Sequence, residues 1–72
     1  MFPNAWVVTV ETINTEIPPK IHGQILQIKP DGILDIDFGL KYGFAICHPS
    51  QVEISRGPRV DWVFAGGYSV TR

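Results

Sequence analysis

The sequence predicts an all-β protein, folded as one small barrel of five or six strands that is SH3-like or OB-like. Two observations lead to this fold class. Apolar residues alternate with a period of two along most of the chain, which is typical of half-buried strands, and turn-forming residues separate these stretches without any helical crossover. The chain has 72 residues, which is enough for one hydrophobic core, so residues 1–72 are expected to form a single domain.

The first predicted strand runs from Ala5 to Ile13. It is rich in β-branched residues, which favour strands, and alternation places Trp6, Val8 and Val10 on one face. A polar stretch ends this strand. Two adjacent prolines then keep the chain extended, because proline cannot enter a helix interior and disfavours helix in the residue before it.

The second and third predicted strands form a hairpin. The second runs from Lys20 to Lys29, and its apolar set changes phase, which predicts a bulge or a sharp coil between Gly23 and Leu26. Pro30-Asp31-Gly32 predicts a tight turn, because glycine readily adopts the positive φ that such turns need. The third strand, from Ile33 to Phe38, alternates apolar and acidic residues: Leu34, Ile36 and Phe38 on one face, Asp35 and Asp37 on the other.

The remaining predicted strands are shorter. A second turn, from Gly39 to Gly43, leads into a strand that ends at Pro49, and a short piece from Gln51 to Ser55 follows. A further turn precedes the strand from Val60 to Ala65, and Tyr68-Ser69-Val70 forms a short edge segment after two glycines. In the strand after the turn from Gly39 to Gly43, alternation places Tyr42, Phe44 and Ile46 on one face and Ala45 and Cys47 on the other. In the short piece that follows, Val52 and Ile54 point inward. In the strand from Val60 to Ala65, one face carries Val60, Trp62 and Phe64.

Charge and composition narrow the classes of function. Six basic and seven acidic residues give a net charge of −1, and the basic residues are spread along the chain, whereas a nucleic-acid binder usually shows a basic excess or stripe. No apolar run is long enough to span a bilayer, and the first ten residues lack the pattern of a signal peptide. Cys47 is the single cysteine, so no intramolecular disulfide is expected. These features predict a cytoplasmic location.

No catalytic or metal-binding motif stands out. Asp35 and Asp37 lie two apart on one strand and so share a face, but alternating charge on a solvated face explains them better, since no partner acid or nucleophile is visible. His22, Cys47 and His48 are one ligand short of a structural zinc site, and adjacent strand residues point to opposite faces. We therefore expect no enzymatic activity, no cofactor and no metal, with Cys47 buried and His48 at the surface.

Aromatic side chains are the predicted binding residues, because aromatics dominate the energetics of protein interfaces. Part of the aromatic set is expected to fill the core instead, Phe44 and Trp62 first. The strand from Val60 to Ala65 is apolar on both faces, so the face that carries Val63 is left for another molecule. The predicted binding residues are Trp6, Tyr42, Trp62, Val63 and Tyr68.

These residues predict a non-enzymatic protein-binding module, such as an adaptor, assembly chaperone, small complex subunit or inhibitor, that docks through aromatic and apolar strand surface. A larger protein and further copies of the same chain are the expected partners, because a core of this size adds little stability and no disulfide or metal supplements it. The alternative is a single-stranded nucleic-acid-binding protein of OB- or SH3-like fold, whose affinity would fall steeply with salt.

Three stretches of the sequence resemble the HypC/HupF family of hydrogenase-maturation chaperones. They are Ile17-Pro18 with Gly23-Gln24-Ile25, then Asp37-Phe38-Gly39, and the closing stretch from Val60 to Val70. The resemblance implies an OB-like barrel and a role in assembling a partner protein. Members of that family begin with Met-Cys, and their cysteine holds the iron-ligand assembly and the partner proteins. In this sequence Phe2 stands at that position.

Overall fold

The computed structural model describes residues 2–57 and 62–65, and the backbone of residues 69–70. Within them the chain forms seven strands in two antiparallel sheets, and the only helical element is a single 3-10 turn, Pro49–Gln51. The strands are β1 (Trp6–Thr9), β2 (His22–Ile28), β3 (Leu34–Asp37), β4 (Phe44–Cys47), β5 (Val52–Ile54), β6 (Trp62–Val63) and β7 (Ser69–Val70). The predicted all-β fold class is confirmed.

The larger sheet contains five strands in the order β4-β3-β2-β1-β5, and β6 pairs with β7. Consecutive strands from β1 to β4 are neighbours and form a meander, while β5 returns to the other side of β1. Strands β4 and β5 stand at the two ends of this order, and no pairing joins them in the described part of the chain. The sheet is therefore not closed into the predicted barrel, and β4 and β5 each present an edge.

The predicted β2–β3 hairpin is present. Gly32 has a φ of +88°, and the N–H of Lys29 donates to the carbonyl of Ile33 at 2.9 Å, which closes the hairpin at the predicted turn. The register between β2 and β3 shifts between Ile25 and Gln27, so the predicted bulge is also confirmed. The predicted core residues of the third strand are all buried: Leu34, Ile36 and Phe38.

Strand β1 buries the face opposite to the one that carries Trp6, Val8 and Val10. Val7 and Thr9 are buried, whereas Trp6 and Val8 are half-buried and Val10 is exposed. Apart from Thr9, both faces of β1 carry apolar residues, so alternation alone does not decide between them. The polar residue can be the buried one because its hydroxyl is fully hydrogen-bonded to main-chain groups inside the protein.

Strand β4 differs from the prediction. Phe44 and Ile46 are 66% and 54% exposed, so the expectation that Phe44 fills the core is wrong. The smaller residues of the strand face inward instead: Cys47 is buried and Ala45 packs against the core. Both faces of this strand are apolar, and the space left by the neighbouring strands selects the face with the smaller side chains.

The last strands contribute little to the core of the larger sheet. Val52 in β5 is buried as predicted, but Ile54, which was predicted to point inward, is 57% exposed at the other end of this edge strand. Trp62 in β6 is half-buried rather than fully buried. Two predicted positions, Val60 and Tyr68, lie outside the described residues.

The two aspartates of β3 have different environments. Asp35 is half-exposed, and its carboxylate lies 3.9 Å from the Lys29 ammonium. Asp37 is only 3% exposed, and its carboxylate accepts hydrogen bonds from the N–H of Gly39 at 2.8 Å and of Ala65 at 3.1 and 3.2 Å. The predicted solvated acidic face is therefore wrong for Asp37, because backbone donors from two loops satisfy its buried carboxylate.

Candidate functional site: an aromatic groove

A groove of about 520 Å³ lies at one end of the larger sheet. It lies where the segment leading into β2 and the turn between β3 and β4 meet β6. We call it the aromatic groove, and its principal lining residues are Lys20, Ile21, Lys41, Tyr42, Trp62 and Val63.

The groove brings together three of the five predicted binding residues. Tyr42, Trp62 and Val63 all line it, although Tyr42 is 20 positions before Trp62 in the chain. Trp6 stands beside them: its ring centroid is 5.3 Å from that of Trp62, with the two rings nearly perpendicular, a favourable aromatic geometry. Tyr68 falls outside the described residues.

One wall of the groove is positioned by Thr9. Its hydroxyl donates to the carbonyl of Pro18 at 2.8 Å and accepts from the N–H of Ile21 at 2.9 Å. The carbonyl of Thr9 also accepts from the N–H of Lys20 at 2.8 Å. These three bonds hold Lys20 and Ile21 at the groove, and the role of Thr9 was not predicted from the sequence. The sequence feature that could have indicated this role is a single hydroxyl side chain in an otherwise apolar strand.

The opposite wall depends on Gly39. Its φ is +92°, and a Cβ at this position would lie 3.0 Å from the indole of Trp62, so only glycine lets the β3–β4 turn approach that ring. The N–H of Leu40 donates to the carbonyl of Val63 at 2.9 Å, and Asp37 binds the N–H of Ala65. The turn and β6 are thus held together by one backbone hydrogen bond and by a bond from a backbone N–H to a side-chain carboxylate.

The groove is apolar inside and positive at its margins. Lys20 and Lys41 both line it, and none of its described lining residues carries a carboxylate. The Lys41 ammonium lies 5.4 Å from the ring centroid of Tyr42, within the range of a cation–π contact. His22, which also lines the groove, places its Nδ1 3.3 Å from the hydroxyl of Ser55. The arrangement suits an apolar ligand with negative charge.

The indole N–H of Trp62 has no acceptor in residues 2–57 and 62–65. It is buried, and it finds no hydrogen-bond partner in the described part of the protein. A buried tryptophan N–H usually has a partner, and leaving it without one costs on the order of 1–3 kcal/mol. A ligand carbonyl or carboxylate in the groove is one group that would satisfy it.

No protein-family model, curated protein or solved structure matched the chain. The resemblance to the HypC/HupF family therefore stays a prediction. In the described residues, no helix is long and apolar enough to cross a membrane. The same residues contain no group of three or more His, Cys, Asp or Glu side chains arranged to hold a metal ion.

Cys47 is buried and His48 exposed, as the sequence predicted. Burial of the thiol raises the pKa of Cys47 from 9.0 to about 11. A thiol with this pKa is a poor nucleophile near neutral pH, because the thiolate is the reactive form.

The raised pKa of Cys47 predicts slow labelling by a thiol reagent. At pH 8 the folded protein should react about a hundredfold more slowly than the unfolded chain, since each pKa unit changes the thiolate fraction tenfold. Because the unfolded thiol ionises first, this residue should also lower the free energy of unfolding as the pH rises from about 9 to about 11. Disulfide-exchange kinetics with and without denaturant measure the rate, and equal rates would contradict the burial.

Proposed function

We propose that this protein is a non-enzymatic protein-binding module whose aromatic groove holds an apolar, acidic segment of a larger partner protein. The observation that carries the proposal is the convergence of Tyr42, Trp62 and Val63 on one concave surface. Tyr42 lies 20 positions before the adjacent residues Trp62 and Val63, and large aromatic residues gathered in a pocket are typical of the centre of a protein interface.

The charge of the groove supports an acidic ligand. Lys20 and Lys41 flank an apolar floor, and the described lining contains no carboxylate to oppose a negative partner. The N–H of Trp62 adds a hydrogen-bond donor that has no acceptor among the described residues. A segment that combines a large apolar side chain with aspartate or glutamate nearby would use all three features.

Other features of the chain support binding rather than catalysis. The pKa of Cys47 is raised, which is opposite to the change that activates a nucleophile. Asp37 is engaged by backbone donors and Asp35 lies near Lys29, so the two carboxylates have separate partners rather than a shared proton or cation.

A selection from random peptides displayed on phage tests the proposal. We expect enriched peptides to combine an aromatic or large aliphatic residue with acidic residues. Trp62→Ala should weaken binding of a selected synthetic peptide by at least about thirtyfold, the size of an interface hot spot. Trp62→Phe, which keeps a ring but removes the N–H, should show a smaller loss, and Lys41→Glu should weaken acidic peptides selectively.

Phe44→Ala is the matched control for the peptide experiment. Phe44 is an exposed aromatic residue that does not line the groove, so its removal should leave the peptide affinity unchanged. Failure to enrich any peptide, or equal binding by the Trp62→Ala variant in its folded state, would contradict the proposal.

A single-stranded nucleic acid is the second candidate ligand. The observation in its favour is the placement of Lys20 and Lys41 beside the aromatic rings of Tyr42 and Trp62, because bases stack on aromatic side chains while lysines contact phosphates. Two phosphate contacts would give a slope of about −1.4 in the logarithm of affinity against that of salt concentration. Fluorescence anisotropy with a deoxythymidine oligonucleotide across a salt series distinguishes this ligand from a peptide held by apolar contacts.

The finer fold assignment is also a proposal: an SH3-like barrel in a partly open form. Its support is the strand order, since β4 pairs with β3 and only β5 returns to β1, whereas an OB-fold is a Greek-key barrel. The predicted cytoplasmic location stays a proposal, supported by the single cysteine and the absence of any disulfide among the described residues.

A further inference from the structure

A second apolar surface lies on β4, at one end of the larger sheet. Phe44 and Ile46 are 66% and 54% exposed on its outer face, and Leu26, from the bulged part of β2, is also exposed. These side chains surround a shallow hollow of about 580 Å³ that also includes Asp35. We call this surface, formed by Leu26, Phe44 and Ile46, the β4 face.

The backbone of β4 has unpaired groups on the same strand. The N–H of Phe38 donates to the carbonyl of Gly43 at 2.9 Å, so alternate residues, Gly43 and Ala45 among them, direct their main-chain groups toward β3. The main-chain groups of Phe44 and Ile46 therefore point to the open edge. In the described residues, no strand pairs with that edge.

The edge of β4 lacks the devices that usually prevent pairing. Natural edge strands are protected by charged residues, prolines or bulges, yet the four residues Phe44–Cys47 contain none of these. The other edge of the sheet, β5, is three residues long and carries Glu53 at its centre. Of the two edges, β4 is the one suited to accept another strand.

We propose that two copies of this chain associate through their β4 strands, paired antiparallel about a two-fold axis at Ala45. The two five-stranded sheets then join into one continuous sheet. Because the contact uses the same surface of both copies, it closes as a dimer, whereas pairing of β4 with β5 would leave edges for further addition. The proposal does not depend on the function assigned to the aromatic groove.

The register follows from which main-chain groups are available. With the axis at Ala45, Phe44 of each copy lies opposite Ile46 of the other copy. The two-fold axis therefore creates two such pairs, and in each pair the main-chain groups of both residues form hydrogen bonds. Axes at neighbouring positions either form fewer such pairs or misalign donors and acceptors. Ala45 then faces its equivalent as a non-hydrogen-bonded pair, where backbones are closest and a methyl side chain fits best.

Pairing in this register brings the β4 faces of the two copies side by side on one continuous sheet. Each Phe44 side chain lies across from Ile46 of the partner subunit on the outer face, and aromatic and β-branched pairs are favourable cross-strand neighbours. The short chain also gains buried apolar area that its own core is too small to supply. We place self-association here rather than on Val63, because Val63 lines the aromatic groove.

A lysine on the edge tests the dimer. In sedimentation equilibrium at micromolar to millimolar concentration, the unmodified chain should show twice its 8.0 kDa mass, and Ile46→Lys should return it to the monomer with an unchanged circular dichroism spectrum. Ile54→Lys is the matched control, since Ile54 is equally exposed on the opposite edge strand and its variant should remain dimeric. A monomeric unmodified chain, or a dimer insensitive to Ile46→Lys, would overturn the proposal.

A cysteine at the proposed axis tests the register. Cα atoms of a non-hydrogen-bonded pair lie about 4.5 Å apart, within the range that a disulfide spans. Ala45→Cys should therefore form an intermolecular disulfide under mild oxidation, and adding Ile46→Lys should prevent it. The unmodified chain is the control, because its buried Cys47 should not cross-link. A dimer in which Ala45→Cys fails to cross-link would refute the register and with it the proposed interface.

Discussion

Replacing Asp37 by alanine is expected to lower the free energy of unfolding by about 3 kcal/mol, because hydrogen bonds to charged groups contribute about 1.5–3 kcal/mol each and their buried donors would be left unpaired. The carboxylate accepts from the N–H of Gly39 and of Ala65, and Ala65 is 28 positions away in the chain. The alanine variant removes the carboxylate, so both N–H groups lose their acceptor at once. Urea unfolding measures this effect as a lower midpoint concentration of urea, with the slope of the transition unchanged.

Asp35→Ala is the matched control for Asp37→Ala. Asp35 is on the same strand two residues earlier, but it is half-exposed and its nearest ammonium, that of Lys29, is 3.9 Å away. A surface pair of this kind contributes about 0–1 kcal/mol. Asp37→Asn should lower the free energy of unfolding by an amount between those of the two alanine variants. The asparagine amide keeps one oxygen that accepts a hydrogen bond, but its NH2 group is a donor and cannot accept from the second N–H. Equal effects of the two alanine variants would refute the structural role of Asp37.

Gly23→Ala is expected to destabilise the protein by about 2–3 kcal/mol, the usual cost of forcing an extra methyl group into a packed core. A Cβ at Gly23 would lie 2.6 Å from Cγ2 of Ile36 and 2.9 Å from the ring of Phe38. Both neighbours are buried and cannot move aside without disturbing the core. Thermal and urea unfolding give the change in stability.

Two further variants separate the core overlap at Gly23 from a backbone effect. Gly43→Ala adds a Cβ where nothing lies within 4 Å but φ is +74°, so it should cost about 1 kcal/mol through backbone strain alone. Ile36→Leu removes the Cγ2 methyl group that the new Cβ meets. It should therefore lower the free energy of unfolding less in the Gly23→Ala background than in the unmodified chain. Additive effects would show that the predicted overlap is absent.

The sequence by itself predicted the features that depend on a few consecutive residues. The turn at Gly32 follows from the backbone freedom of glycine after proline and aspartate. The bulge before Gln27 follows from a change of phase in the apolar pattern, and the burial of Leu34, Ile36 and Phe38 follows from clean alternation with charged residues. Cys47 was also predicted as a buried residue, since it is a small apolar side chain in a strand.

The tertiary structure alone decided which face of an apolar strand turns inward. In β1 and β4 the two faces are similar in hydrophobicity, so the choice depends on neighbouring strands: Thr9 is buried because the segment before β2 satisfies its hydroxyl, and Phe44 is exposed because Ala45 and Cys47 fit the core. Asp37 is buried because a distant N–H reaches its carboxylate.

The candidate site was predicted in part. Tyr42 and Trp62 were named as binding residues because they are aromatic, and Val63 was named because its strand is apolar on both faces. Their meeting in one groove depends on contacts between positions far apart in the chain, such as Leu40 with Val63 and Gly39 with Trp62. A pattern of period two records only which side of a strand a residue occupies. The distances between strands, and hence the groove and the open edge of β4, arise only when the whole chain packs.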